Sequence, residues 1–145
     1  MKKFLPFTPY LNVGEVADLD RAWKEVAGKI GMDVTKLRAK IEPTAAVYAI
    51  AEHARALLVA MTDGALPSNV GGMYNLRVIL RRALGFIDKY NWKVDLCDVC
   101  DWHAAELKPL FPELSEQLAN VRKIIEVEKM RYRATQEKTK TMLAK

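Results

Sequence analysis

The sequence predicts an all-α fold, an irregular bundle of five to six helices with a long C-terminal helix. Apolar residues recur with helical spacing in successive stretches, and Pro, Gly or a capping residue separates these stretches. No stretch alternates apolar and polar residues as a half-buried strand does. With 145 residues, 50% of them hydrophobic and 28% charged, the chain has the composition of a globular protein. We therefore expect helices packed around an apolar core.

The first half of the chain predicts an extended segment followed by three helices. Residues 1–14 contain two prolines and no helical period, so we expect them to be extended. The first helix ends at Gly31, and a short second helix is stopped by Pro43. A long third helix runs from Thr44 to about Met61. Its apolar arc contains Val47, Ile50, Ala51, Ala54, Leu57, Leu58 and Met61.

The second half predicts three further helical stretches. One runs from about Met73 to Lys89, and its inward side contains Leu76, Ile79, Leu80, Ala83, Leu84 and Ile87. Asp95 begins the next helix, whose inward positions include either Trp102 or His103. The last and longest helix begins near Ser115, and its inward residues are Leu114, Leu118, Val121 and Ile125.

The basic charge of the chain is local. The net charge is +5, and residues 129–145, with six basic residues and one acidic residue, account for all of it. Because the remainder is neutral, the net charge alone is weak support for a nucleic-acid partner. The apolar stripe of the last helix fades after residue 132. We therefore divide the chain into an extended segment (1–14), a helical domain (15–132) and a polar, basic helical extension (133–145).

Targeting signals are not evident. No uninterrupted apolar run reaches the roughly 18 residues that span a membrane. The first ten residues are too short and too rich in proline for a secretory signal. We expect a cytoplasmic protein without a membrane partner.

One loop and the helix after it carry the main functional signal. Residues 65–72 combine a proline, a polar tip and two glycines, and the next helix is rich in arginine. Arginine binds phosphate through two parallel hydrogen bonds, and asparagine can both donate to and accept from a base edge. A solvated helix face is the other interpretation of the arginines. The candidate RNA-binding residues are Ser68, Asn69, Tyr74, Arg77, Arg81 and Arg82.

Two other groups of residues can be interpreted either as metal-binding or catalytic residues or as structural ones. The spacing of Cys97, Cys100 and His103 can begin a zinc site, but a tetrahedral site needs a fourth ligand. We expect instead two half-buried thiols beside Trp102, and no bound metal. His53 flanks an apolar stripe, and the sequence places no nucleophile beside it. We expect it to be a hydrogen-bonded structural histidine.

Four consecutive motifs resemble alanyl-tRNA synthetases. They are IAEHAR (50–55), DGALPSN (63–69), VGG (70–72) and MYNLRVILRR (73–82). In that family, similar motifs form the helical segment that follows the class II catalytic domain. The flanking stretches NVGEVADLDRAW and WHAAELKPLFPELSE resemble the archaeal branch, so the resemblance covers nearly the whole chain. Glu52 stands where the family usually has aspartate, and Met73 where it has glycine.

This resemblance implies a tRNA-recognition piece of a longer protein. The implied partner is the acceptor stem of alanine tRNA, with Asn69 contacting its G·U wobble pair and the arginines holding the stem. The catalytic domain of the same parent chain would lie upstream, and the parent would join alanine to tRNA using ATP and magnesium. The segment lacks the class II catalytic motifs, so we expect it to be inactive alone and to need no cofactor. The alternative function is a stand-alone helical scaffold or protein-interaction bundle.

Overall fold

The computed structural model describes residues 18–144, which contain six helices and no strand. This confirms the all-α class and the long C-terminal helix. The predicted extended segment 1–14 lies outside the described residues. The chain divides into two compact units, Met1–Ala45 and Ala46–Lys145, and the predicted divisions after residues 14 and 132 remain predictions. The helices are α1 (Leu19–Ile30), α2 (Val34–Thr62), α3 (Met73–Lys89), α4 (Leu96–Leu107), α5 (Glu113–Glu116) and α6 (Leu118–Leu143).

The first unit contains α1 and the start of α2. Asp18 caps α1 by accepting a hydrogen bond from the Arg21 backbone N–H at 2.9 Å. Gly31 ends the helix in the left-handed conformation, with φ of 69°, as the sequence predicts. The buried side chains of this unit form their own cluster, which consists of Trp23, Val26, Ala27, Ile30 and Leu37.

The break that the sequence predicts at Pro43 is wrong. α2 continues through this residue, so the predicted second and third helices are one helix. A proline removes one backbone donor and crowds the preceding turn, which costs about 3 kcal/mol, a cost that packing elsewhere along a long helix can offset. Thr44 does not cap a new helix, because its hydroxyl donates to the Lys40 carbonyl one turn earlier, at 3.3 Å.

Part of α2 supplies the core of the second unit. The buried residues Ile50, Ala54, Leu57 and Leu58 pack there with residues of α3, α4 and α6, whereas Val47, predicted to face inward, is exposed. By length and composition alone, α2 is also apolar enough to cross a membrane. Core helices pass the same test, so this is weak support for a membrane span.

The remaining helices follow the sequence prediction closely. α3 has the predicted bounds, and Asp95 caps α4 by accepting from the Cys97 backbone N–H at 2.8 Å. The inward position on α4 belongs to His103, which donates from Nε2 to the Ala51 carbonyl at 2.9 Å, whereas Trp102 is 63% exposed. α6 begins after the short helix α5, and its described residues beyond 132 are all exposed.

Candidate nucleic-acid interface

The loop between α2 and α3 is held by its own hydrogen bonds. The Ser68 hydroxyl donates to the Val70 carbonyl at 2.8 Å and accepts from the Val70 backbone N–H at 3.2 Å. The Ser68 backbone N–H donates to the Met73 carbonyl at 3.2 Å, and Gly71 has a positive φ of 63°. Along this turn Pro67 is buried, Ser68 is half-buried and Asn69 is exposed. The loop therefore presents Asn69 to solvent from a backbone held by these hydrogen bonds.

Arg77 is buried, whereas the sequence predicts it on an exposed cationic side of α3. Only 9% of the residue is exposed. Its Nε and Nη2 donate to the two carboxylate oxygens of Glu128 at 2.9 and 2.8 Å. Nη2 also donates to the Pro67 carbonyl at 3.1 Å, and Nη1 donates to Asn69 Oδ1. This one guanidinium therefore connects α3, α6 and the loop.

The spacing of the α3 residues explains the burial of Arg77. It precedes the buried residues Leu80 and Leu84 by three and seven positions, so all three share one side of the helix. Glu128 has the equivalent place on α6, seven and three positions after the buried residues Val121 and Ile125. An acidic residue within an apolar stripe is the signal that could have identified Glu128, which the sequence analysis missed.

Glu128 is ionised at neutral pH. Only 2% of the residue is exposed. Burial raises the pKa of the Glu128 carboxyl, but hydrogen bonds from Arg77 and Arg131 outweigh burial and hold this pKa below its usual range. The arginine fork and the carboxylate therefore form a buried ion pair of opposite full charges.

A cavity of about 550 Å³ lies beside this ion pair. It contains four of the six predicted site residues, which are Ser68, Asn69, Arg77 and Arg81. The other two do not line it: Tyr74 is exposed, and the Arg82 guanidinium lies 5.8 Å from the centre of the Phe86 ring. The rest of the lining comes from Pro67 and from one side of α6, with Arg131, Ala134, Thr135 and Lys138.

The cavity is electropositive. Arg77, Arg81, Arg131 and Lys138 line it, and the buried Glu128 carboxylate cancels one of these four charges, which leaves +3. Arg131 donates to Glu128 Oε1 at 2.6 Å and is otherwise largely exposed. The sequence analysis does not place these α6 cations in the site, because both belong to the basic stretch 129–145, which lies far from the loop in sequence. Their spacing of seven positions is the signal, since it places both on one side of a helix.

The three residues of the possible zinc motif do not converge. Cys97 Sγ lies 3.7 Å from Glu126 Oε1, Cys100 Sγ lies 3.7 Å from the Ala54 carbonyl, and His103 bonds to the Ala51 carbonyl. Burial is the largest of the causes that raise the pKa of each thiol to about 12, so both thiols are protonated at neutral pH. Because each of the three side chains contacts a different partner, the structure does not assemble them as a set of zinc ligands.

We expect both cysteines to react slowly with a disulfide reagent such as dithionitrobenzoate in the native chain near neutral pH. The reason is that Cys97 and Cys100 are buried and protonated. The measurement is the rate at which the coloured thiolate of the reagent is released, followed by absorbance. The control is the chain unfolded in guanidinium, in which both cysteines are exposed. If both cysteines reacted as fast in the native chain as in guanidinium, the burial of their thiols would be contradicted.

Another group of possible metal ligands lies nearby. Asp95, Cys97 and Glu126 place ligand atoms within 4.8 Å of one another. Lys129 already donates to Asp95 Oδ2 at 2.8 Å and to Glu126 Oε1 at 2.6 Å, so its ammonium group occupies one oxygen of each carboxylate and cancels one of their two negative charges. The cluster therefore does not fit a magnesium site, which requires free oxygen ligands.

His53 differs from the expected hydrogen-bonded histidine. Its Nε2 is buried and has no hydrogen-bond partner among the described residues. Burial and, to a smaller extent, the nearby Arg82 lower the pKa of the imidazole. His53 is therefore neutral near physiological pH.

Comparison with known proteins identifies the family. Residues 11–145 match the family described as tRNA synthetases class II (A). The alanine–tRNA ligase of Methanocella arvoryzae is 42% identical over 141 residues, which are 97% of this chain and 16% of that protein. The chain belongs to the alanyl-tRNA synthetase family. The alanine–tRNA ligase of Nitrosopumilus maritimus is 42% identical over 115 residues, 79% of this chain and 13% of that protein.

The family assignment confirms the resemblance drawn from the four motifs. A further relative, the alanine–tRNA ligase of Cenarchaeum symbiosum, is 36% identical over 135 residues, 93% of this chain and 15% of that protein. The chain thus corresponds to 13–16% of the length of these three alanyl-tRNA synthetases.

Proposed function

We propose that this chain is the acceptor-stem recognition part of an alanyl-tRNA synthetase of archaeal type. In this proposal, Asn69 reads the G·U wobble pair of alanine tRNA. The observation that carries it is an exposed asparagine at the edge of a cavity with a charge of +3, on a loop held by a buried ion pair. This combination suits a ligand that presents hydrogen-bonding base edges between rows of phosphates.

The chemistry of a wobble pair matches an amide oxygen. A G·U pair leaves the exocyclic amino group of guanine unpaired in the minor groove, and that groove is wide and shallow in RNA. An amide oxygen has two lone pairs. Arg77 uses one lone pair of Asn69 Oδ1, so the other can accept a hydrogen bond from the guanine amino group.

The phosphate contacts are assigned to the exposed cations of the cavity. Arg131 and Lys138 of α6 and the half-buried Arg81 of α3 line its open side. Arg77 is less suited to this task, because hydrogen bonds within the protein occupy four of its five N–H donors. Tyr74 and Arg82, which lie outside the cavity lining, remain predicted RNA contacts.

The whole enzyme would use this segment for tRNA selection in the cytoplasm. Joining alanine to tRNA with ATP and magnesium would occur in the catalytic domain of the same parent chain. The segment itself is proposed to need no cofactor.

Binding to RNA minihelices tests the proposal. The readout is fluorescence anisotropy at one fixed salt concentration, with acceptor-stem helices that carry either G·U or G·C at the wobble position. We expect a preference for G·U of roughly 5-fold to 100-fold, which is the size of one base-pair contact in protein–DNA sites. Asn69→Ala should abolish the preference, whereas Asn75→Ala, at an exposed position of α3 outside the cavity, should retain it. Equal affinity of the unaltered chain for both helices would overturn the proposal.

A further inference from the structure

We propose that the buried pair of Arg77 and Glu128 is a positioning device that fixes the side-chain amide of Asn69 in one of its two orientations. In this orientation the oxygen, and not the NH₂ group, lies at the cavity. The inference deepens the proposed function and rests on it, since it states why Asn69 accepts a hydrogen bond from the RNA rather than donating one.

The chemistry of the contact selects the orientation. Arginine offers N–H donors and no acceptor. Asn69 Oδ1 accepts from Arg77 Nη1, whereas a flipped amide would turn its own N–H groups toward the guanidinium. The N–H donors of the flipped amide would then face the N–H donors of the guanidinium, which carries a full positive charge. Arg77 and Asn69 line the same cavity, and in the proposed orientation the oxygen held by Arg77 is on the cavity side of the amide.

The guanidinium can serve as a fixed reference because it is itself restrained. Its Nε and Nη2 bond to both oxygens of Glu128 at 2.9 and 2.8 Å, and Nη2 also bonds to the Pro67 carbonyl at 3.1 Å. Both charged groups are buried, at 9% and 2% exposure. Bidentate pairs of this kind fix the plane of the guanidinium as well as its position. The plane of the Asn69 amide is thereby tied to α3 and α6.

A fixed amide gives discrimination that a free one lacks. An unrestrained asparagine turns its NH₂ group toward an acceptor as readily as it turns its oxygen toward a donor, so it rejects few base edges. With the oxygen held at the cavity, a base pair without a free amino group leaves that oxygen without its second donor. The cost of that mismatch is what would separate G·U from other pairs.

Arg77→Lys is the variant that separates positioning from charge. Lysine keeps the positive charge, but its ammonium cannot reproduce the planar fork that reaches Glu128, Pro67 and Asn69 together. The matched control is Arg122→Lys, the same change at another arginine that pairs with carboxylates, those of Asp98 and Asp101, and that lies outside the cavity. Glu128→Gln is a second test variant, which keeps the size and polarity of the side chain if Arg77→Lys does not fold.

The first readout needs no RNA. The ¹⁵N heteronuclear NOE of the Asn69 side-chain NH₂ group, assigned by its loss in Asn69→Ala, reports motion of the amide on the nanosecond timescale and faster. We expect a value close to that of the helical backbone in the unaltered chain and in Arg122→Lys. In Arg77→Lys and Glu128→Gln it should fall clearly below that value. A mobile Asn69 amide in the unaltered chain would overturn the inference.

The second readout compares G·U minihelices with I·U minihelices, because inosine lacks only the exocyclic amino group. We expect the unaltered chain and Arg122→Lys to prefer G·U several-fold, and Arg77→Lys to bind both helices within about 2-fold with an unchanged salt dependence. A preference retained in Arg77→Lys but lost in Asn69→Ala would overturn the inference alone. No preference in the unaltered chain would overturn the proposed function as well.

Discussion

Glu128→Leu is expected to lower the free energy of unfolding by about 3–5 kcal/mol, the usual result of breaking a buried ion pair. The substitution leaves the Arg77 guanidinium, 9% exposed, without the carboxylate that accepts two of its hydrogen bonds. The measurement is denaturation by urea, followed by circular dichroism, with the free energy extrapolated to water.

Two controls identify the buried charge as the cause. The double variant Arg77→Met with Glu128→Leu removes both charges, and we expect it to be more stable than Glu128→Leu, with a coupling energy of about 2 kcal/mol. Glu137→Leu breaks a pair with Lys140 whose side chains are 71% and 72% exposed, and should change stability by less than about 1 kcal/mol. If the double variant were less stable than Glu128→Leu, a buried, unpaired cation would not be the cause of the lost stability.

Arg131→Gln together with Lys138→Gln is expected to weaken binding of an acceptor minihelix by about 10-fold or more at low salt. These side chains line the cavity, and each lost phosphate contact should lower the slope of log K against log salt by roughly 1. The preference for G·U over G·C should remain, because phosphate contacts carry no sequence information. The measurement is anisotropy over a series of salt concentrations.

The matched control for this pair lies on the same helix. Arg133→Gln with Lys140→Gln removes the same charge from exposed positions that do not line the cavity. We expect it to change the affinity much less. Equal losses of RNA affinity in the two double variants would mean that α6 attracts RNA only through its overall charge, as a solvated basic helix does.

Local sequence signals were sufficient for most helices. α1 has an acidic cap and a glycine end, and α3 has an unbroken apolar spacing, so the predicted and observed bounds agree. Pro43 is one exception, because α2 continues through a residue type that predicts a break. Propensity of one residue is a weak predictor when packing supports the segments on both sides. The last helix is another exception, since the helix predicted to begin near Ser115 is divided into α5 and α6.

The candidate site depended on contacts that local patterns do not contain. The loop tip and Arg81 were identified from residue type and proximity in sequence. Arg77 was interpreted as exposed because arginine usually is, although its spacing to Leu80 and Leu84 is that of an inward residue. Its partner Glu128 lies 51 positions later in the chain. Pairing these residues, and placing Arg131 and Lys138 beside the loop, requires knowing how α6 packs against α3.

NMR of the Asn69 side-chain amide during RNA titration tests the contact with the wobble pair most directly. The amide signal is assigned by its absence in Asn69→Ala, and the chain is titrated with minihelices that differ only in carrying G·U or G·C. We predict a large shift of this signal with the G·U helix and a small one with the G·C helix, because the guanine amino group is unpaired in G·U, whereas in G·C one of its N–H groups is already bonded to cytosine. An equal shift with both helices, or no shift with either, would contradict recognition of the wobble pair by Asn69.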